Sequence, residues 1–332
     1  MAGKRGCLKK LLLLAIVGVL MVWLLAEVFF NLNSNLVALS VRHSSYPLEL
    51  LTKRGDWKPA TAMTAADMTA AMVERHKEPG MRWTTLKVRR RGDTLAGLAH
   101  SAFGAEVHVV TLAPDLFDFM TTFQSGFALT TARERMSHEN LWFSITSNFR
   151  DPKGRPMGWV YHQGRRVNPP FGDWSGCFFV KDGKPWFGPK SLLTDVPGLI
   201  EEGSQVYPSV MKHHTVFSYV DLKPDQFFDG SKITYRALGG TKQDGSIVFV
   251  LSGDGGVMNV SEVTEIARKI DVQHATLLDG GRALQYSIRT DDGPWHFHAF
   301  NTELPFTHKL LERQRSPVYI GVRRKAPLIL VD

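Results

Sequence analysis

Arg236, Asp279 with Gly280 and Gly281 behind it, and the polar residues Thr146 and Asn148 are the positions whose types and settings could do chemistry. Arg236 falls in the strand-like run Tyr235-Arg236-Ala237-Leu238-Gly239-Gly240, where a guanidinium can hold an anion through two parallel hydrogen bonds. Asp279 follows the apolar run 275–278 and precedes two glycines, so its carboxyl would stand on a turn that lets a ligand approach the backbone. A cation for an anionic group and a carboxyl that moves a proton are pieces of hydrolytic chemistry. Plainer roles stand beside these. Asp279 also reads as an Asp-Gly turn former, Arg236 as half of a structural ion pair, and Asp151 and Asp254 as turn residues.

The elements that must position them are mostly strands. Apolar or alternating runs at 83–88, 106–112, 140–145, 159–162, 177–180, 247–251, 275–278 and 295–299 read as strands separated by polar and glycine-containing turns. One helix is well specified: Ser261 can cap it, and Val263, Ile266, Ala267 and Ile270 fall on one face. The order strand, Gly253-Asp254-Gly255-Gly256 turn, helix, strand is βαβ-like. The fold class is therefore α+β, a strand-rich mixed sheet with a βαβ-like unit and ligands expected where strand ends open into glycine-rich loops.

Several stretches, in order, resemble the phosphodiester glycosidase family. Ser144-Ile145-Thr146-Ser147-Asn148-Phe149-Arg150-Asp151-Pro152 and the following Gly154, Pro156, Gly158 and Trp159 resemble one family block. Gln205-Val206-Tyr207-Pro208-Ser209-Val210 stands where the family often has a strand. The Arg236 run, the Asp244-Gly245 hairpin, the helix and Ala275-Thr276-Leu277-Leu278-Asp279-Gly280-Gly281 follow in the family's order. The resemblance spans roughly 80–331. It implies a hydrolase, a glycosidase of sugar-1-phosphodiester bonds in envelope glycans or glycoconjugates, with Asp279 and Arg236 catalytic and Asn148, Thr146, Gly280 and Gly281 against the substrate. The chain departs from the pattern at Thr146, which falls on the family's Asn, at Asn148, which falls on its second Gly, and at Arg282-Ala283-Leu284, which replaces Gly-Ser-Ser. These departures keep open a non-catalytic glycan-binding or envelope-assembly module on the same fold. Glycosidases ordinarily use two carboxyl groups, and no second one stands out.

The N-terminus reads as a membrane anchor. Lys4, Arg5, Lys9 and Lys10 precede an apolar run over 11–30 broken only by Glu27, and twenty helical residues rise about 30 Å. The bulky 27–30 stretch argues against signal-peptide cleavage. The expected organisation is a basic cytoplasmic tail (1–10), a transmembrane signal anchor (11–30), a stalk and covering helix (31–79) and the phosphodiester glycosidase-like domain (80–332). That makes a single-pass protein with its N-terminus cytoplasmic and its main domain extracytoplasmic, periplasmic or extracellular. Cys7 and Cys177 would then lie on opposite sides, leaving no internal disulfide.

With 43% hydrophobic and 22% charged residues among 332, the chain is long enough for a sizeable core. Setting aside Lys4, Arg5, Lys9, Lys10 and Glu27 lowers the net charge from +8 to +5. That balance suits a phosphorylated glycan or glycolipid and the membrane as partners, and excludes the dense basic stripe of a nucleic-acid binder. His296 with His298, alternating on a strand, and His213-His214 could ligate zinc, but spacing supplies no third ligand. No Asp-x-Asp-x-Asp loop marks calcium. No cofactor is expected, with a divalent cation at the Asp-Gly turns the exception left open.

Overall fold

Strands of this chain gather into three sheets that share one core, and the core follows from side-chain alternation. The computed structural model describes residues 2–30, 32–92, 94–172, 174–217, 230–299 and 314–326, with the side chains of 2–8, 25–30, 32–35, 96 and 101 outside that description. The readings placed on Lys4, Arg5, Cys7 and Glu27 therefore rest on side chains outside that description, and residue 331 lies outside the described residues.

The ten-stranded sheet runs in the order β14 (Thr215–Val216), β13 (Ser209–Lys212), β17 (Val272–Leu277), β15 (Ala237–Lys242), β16 (Ile247–Ser252), β5 (Glu106–Leu112), β4 (Met81–Arg90), β1 (Leu48–Leu51) and β2 (Trp57–Pro59), with β3 (Val73–Glu78) also on β4. A five-stranded sheet runs β11 (Lys184–Pro189), β10 (Gly176–Lys181), β12 (Glu202–Val206), β8 (Val160–His162) and β9 (Arg165–Asn168). The other runs β19 (Gly293–His298), β18 (Gln285–Thr290), β7 (Phe143–Thr146), β20 (Tyr319–Arg324) and β6 (Phe117–Thr122).

Strand β16 is buried along its whole length because both of its faces are covered. Ile247, Phe249 and Leu251 point into the core shared with the two smaller sheets, beside Phe143, Phe178, Phe187 and Tyr286. Val248 and Val250 point the other way, to a second core closed by helices α3 (Ala65–Ala71) and α7 (Val260–Lys269). Helix α5 (Ala132–Glu139) packs on the third sheet, and the short α6 (Leu192–Asp195) follows β11.

Helix α7 buries the face expected for it, but it starts earlier. Its N-cap is Asn259, which accepts from the Glu262 backbone N–H while Glu262 reaches back to the Asn259 N–H, at 2.9 Å each way. Ser261 lies inside the helix. Asn259→Ala is expected to cost about 1 kcal/mol, lowering the urea midpoint without changing its slope.

Two expectations about the fold are corrected. The mixed sheet is antiparallel: every pairing between strands of the described residues runs that way. In the βαβ-like unit, β16 and β17 do not touch, because β15 lies between them and pairs with both. The glycines of β15 make that placement possible. A Cβ on Gly239 would come within 2.3 Å of the Phe187 ring, and one on Gly240 within 2.4 Å of Val272.

The transmembrane helix and the localisation built on it are corrected as well. Helix α1 (Ala2–Phe30) exists, followed by α2 (Leu32–Val41), but among the described residues no helix is long and apolar enough to cross a membrane. The single-pass arrangement with a cytoplasmic N-terminus and an extracytoplasmic domain loses its span. Residues 48–78, read as stalk and covering helix, supply β1, β2, α3 and β3. Thr64 caps the helix there, which ends at Ala71, and the chain continues as a strand.

Candidate functional site

Asp279 sits just past the end of β17, where all three sheets meet. Its backbone N–H donates to Ser147 O (3.0 Å), just past the end of β7, and Leu278 N–H donates to Ala237 O (3.0 Å) on β15. The next residue, Asn148, donates from Nδ2 to Gln205 O (2.8 Å) on β12 and to Met157 O (3.1 Å). Ser147 Oγ and Ser204 Oγ lie 2.6 Å apart. These links tie one strand end from each sheet to the turn that carries the carboxyl.

Gly280 and Gly281 follow for steric reasons. A Cβ on Gly280 would lie 2.8 Å from Tyr235 O, and Gly281 has φ 58° while its N–H donates to Tyr235 O (2.7 Å). Asp279-Gly280-Gly281 therefore packs directly on the Tyr235-Arg236 backbone.

The electrostatics of Asp279 are dominated by burial. Its residue is 6% exposed, and the loss of water raises the carboxyl from 3.8 to about 8, against the opposing effects of the Arg150 charge and the Gly280 N–H. At neutral pH the group carries its proton. Arg150 also donates from its guanidinium to Gln314 Oε1 (2.8 Å), and Gln314 O accepts from Gln285 Nε2. Tyr319, whose hydroxyl donates to Thr130 O, feels the Asp279 charge, and its ionisation is pushed up mainly by burial.

The other expected site residues take structural partners. Arg236 is 8% exposed and donates from Nε to Met258 O (3.3 Å) and from Nη2 to Lys232 O (2.8 Å). Thr146 is fully buried, and its hydroxyl lies 3.2 Å from both Ala283 O and Gln285 O. Asn148 is also fully buried. With both Nδ2 hydrogens given to carbonyls, its Oδ1 is left without a protein donor. The turns at Asp151 and Asp244 are local: Asp151 binds Arg155 at 2.8 Å, and Asp244 accepts from Ser246 N–H.

The backbones of Asp279, Asn148, Thr146 and Arg236 thus converge, while the guanidinium of Arg236 is engaged by backbone carbonyls. Arg150 is the cation that acts on Asp279. It lies inside the 144–159 block, but no spacing singles it out, since Gln314 is 164 residues away. Two cavities, of about 810 and 350 Å³, are lined by other residues, near β4 and near the β18–β19 turn.

Among the described residues, no group of three or more His, Cys, Asp and Glu is gathered to hold a metal. His296 Nδ1 lies 2.8 Å from Ser287 Oγ, His213 meets His274 with ring centroids 4.7 Å apart, and His214 Nδ1 is 3.6 Å from Asp271. Cys177 is a buried free thiol whose ionisation is pushed up by desolvation, which makes it inert.

No family model and no curated protein sequence matches the chain. Solved structures do. The catalytic domain of zebrafish N-acetylglucosamine-1-phosphodiester alpha-N-acetylglucosaminidase, auto-inhibited by its pro-peptide, superposes with a TM-score of 0.57 at 12% identity, over 77% of this chain and 89% of that one. A hypothetical protein from Synechocystis superposes with a TM-score of 0.54 at 11% identity, over 76% of this chain and 64% of that one. This chain shares their fold.

Proposed function

We propose that the chain is a hydrolase of sugar-1-phosphodiester bonds in which Asp279 is the proton-carrying group. The observation that carries this reading is a carboxyl raised to about 8 at the junction of three sheets, beside a cation. An acid that holds its proton at neutral pH can deliver it in the transition state. In the proposed step, the bond between sugar C1 and the bridging oxygen breaks as Asp279 gives that oxygen its proton. Water adds to C1 and releases a proton that restores the neutral carboxyl. The products are the free sugar and a phosphomonoester.

Arg150 is proposed as the phosphate clamp, since it is the cation that acts on Asp279. Asn148 Oδ1 would take a hydroxyl hydrogen of the sugar or a bridging water, and Arg236 positions the Gly280 turn through its backbone. The shared fold with a glycosidase whose substrate is an N-acetylglucosamine-1-phosphodiester supports this substrate class. A phosphorylated glycan or glycolipid remains the proposed partner.

Exchanging the two arginines tests the reading. Arg150→Gln is expected to lower kcat/KM on an N-acetylglucosamine-1-phosphodiester by roughly 10²-fold with the thermal midpoint unchanged, and Arg150→Lys to recover part of it. Arg236→Ala is expected to lower the thermal midpoint instead, because it frees one buried and one half-buried carbonyl. Unchanged turnover in Arg150→Gln would remove Arg150 from the site.

One observation favours the second reading, a non-catalytic glycan-binding module. Thr146 and Asn148 are fully buried, and Arg236 serves backbone carbonyls. That reading expects binding of the sugar phosphodiester without release of sugar.

A further inference from the structure

The larger cavity, about 810 Å³, lies at the ends of β4 and β5, under helix α4 (Thr94–Phe103), and none of the residues around Asp279 lines it. Two of its lining residues carry donors that the protein leaves unanswered. Arg90 is 4% exposed; one terminal nitrogen donates to Tyr46 O and the other to Glu262, yet Nε–H has no partner. His100 accepts the Arg90 backbone N–H at Nε2 (3.4 Å), which places the ring proton on Nδ1, and that atom too is buried and unanswered. A buried N–H without an acceptor costs about 1–3 kcal/mol; both atoms are closed off from solvent beside the cavity, so an acceptor reaches them only when the His100 ring turns toward it.

The surrounding charge says which acceptor. Lys87 and Arg91 are exposed on the same cavity, and the Arg91 side chain is 62% accessible even while it touches Glu49. Of the carboxylates lining it, Glu106 is paired with Arg75 (2.7 Å) and faces His108 (3.2 Å), and Asp254 has interactions of its own. Burial and the charges of Arg89 and Arg90 push His100 down to about 4, so at neutral pH the ring stays uncharged and donates only through Nδ1. Donors without matching acceptors, next to the exposed charges of Lys87 and of Arg91 on its Glu49 partner, suit an anionic group rich in oxygen atoms. The volume exceeds what a bare ion needs and lies in the range of small-molecule sites.

We infer that this cavity is a binding site for the phosphate group of a small organic phosphate, drawn in by the charge of Lys87 and Arg91 and met by the now closed-off Arg90 Nε–H and His100 Nδ1–H as the His100 ring turns toward it, separate from the Asp279 site. Phenyl phosphate titrated into the full chain, followed by calorimetry and by the nitrogen resonances of the histidine rings, tests it. The Nδ1 signal of His100, identified by its loss in His100→Phe, is expected to shift on addition. His100→Phe and the surface double variant Lys87→Ala/Arg91→Ala are each expected to weaken binding by about tenfold or more, while Asp279→Asn leaves it unchanged. Absence of heat and of any shift overturns the inference, as does binding that survives both cavity variants or disappears with Asp279→Asn.

Discussion

Asp279→Asn is expected to abolish turnover of a sugar phosphodiester by roughly 10²–10⁴-fold and, at the same time, to make the protein more stable at alkaline pH. Both effects follow from one property. The folded chain holds the Asp279 proton up to about pH 8, whereas the unfolded carboxyl releases it near 3.8. Between these values the folded state binds the extra proton. The stability contributed by the neutral carboxyl is complete below pH 4 and is lost as pH rises through about 8. Asparagine has nothing to lose in that window. Urea unfolding should therefore give equal stabilities at pH 4 and an advantage for the variant of up to about 6 kcal/mol above pH 8. A variant less stable than its parent at pH 9 would mean that Asp279 is ionised and paired in the folded state.

Phe249→Ala is expected to be the most damaging change in the core. Phe249 is fully buried, with its ring 4.6 Å from Phe143 and 5.2 Å from Phe187, measured between centroids. Those three residues come from the three sheets, so the ring holds the sheets against one another. Its loss should cost about 3–5 kcal/mol through lost transfer energy and an unfilled cavity, and Phe249→Leu less than half of that. Denaturant unfolding measures it directly. A cost under about 1 kcal/mol would mean that the sheets do not share this core.

Much of this arrangement was legible from alternation and end signals, because these are local. Glu106–Leu112 is a strand over the residues expected, and the helix carrying Val263, Ile266 and Ala267 buries that same face. Placement in space was not legible. That β15 slips between β16 and β17 depends on Phe187 and Val272 filling the room above Gly239 and Gly240, contacts that no periodicity contains. Residues 48–51 and 73–78 lack the bounded alternation of a solitary strand and became visible only as partners of β4. The N-terminal run had the composition of a span, but among the described residues no helix is long and apolar enough to cross a membrane.

The site divides in the same way. Asp279 could be singled out from its place after an apolar run and before two glycines. That its carboxyl would be stripped of water, and that Arg150 rather than Arg236 would act on it, depends on residues far away in sequence such as Gln314 and Tyr319. A guanidinium on a strand looked free to bind an anion. In the folded chain, the carbonyls of Lys232 and Met258 occupy it.

The most direct measurement is hydrolysis of an N-acetylglucosamine-1-phosphodiester by the full chain in oxygen-18 water, with Asp279→Asn alongside. Sugar carrying the label at its C1 hydroxyl and unlabelled phosphomonoester are the expected products, and the variant is expected to lose that release. No release, label found in the phosphate, or equal release by the variant would contradict the proposed step.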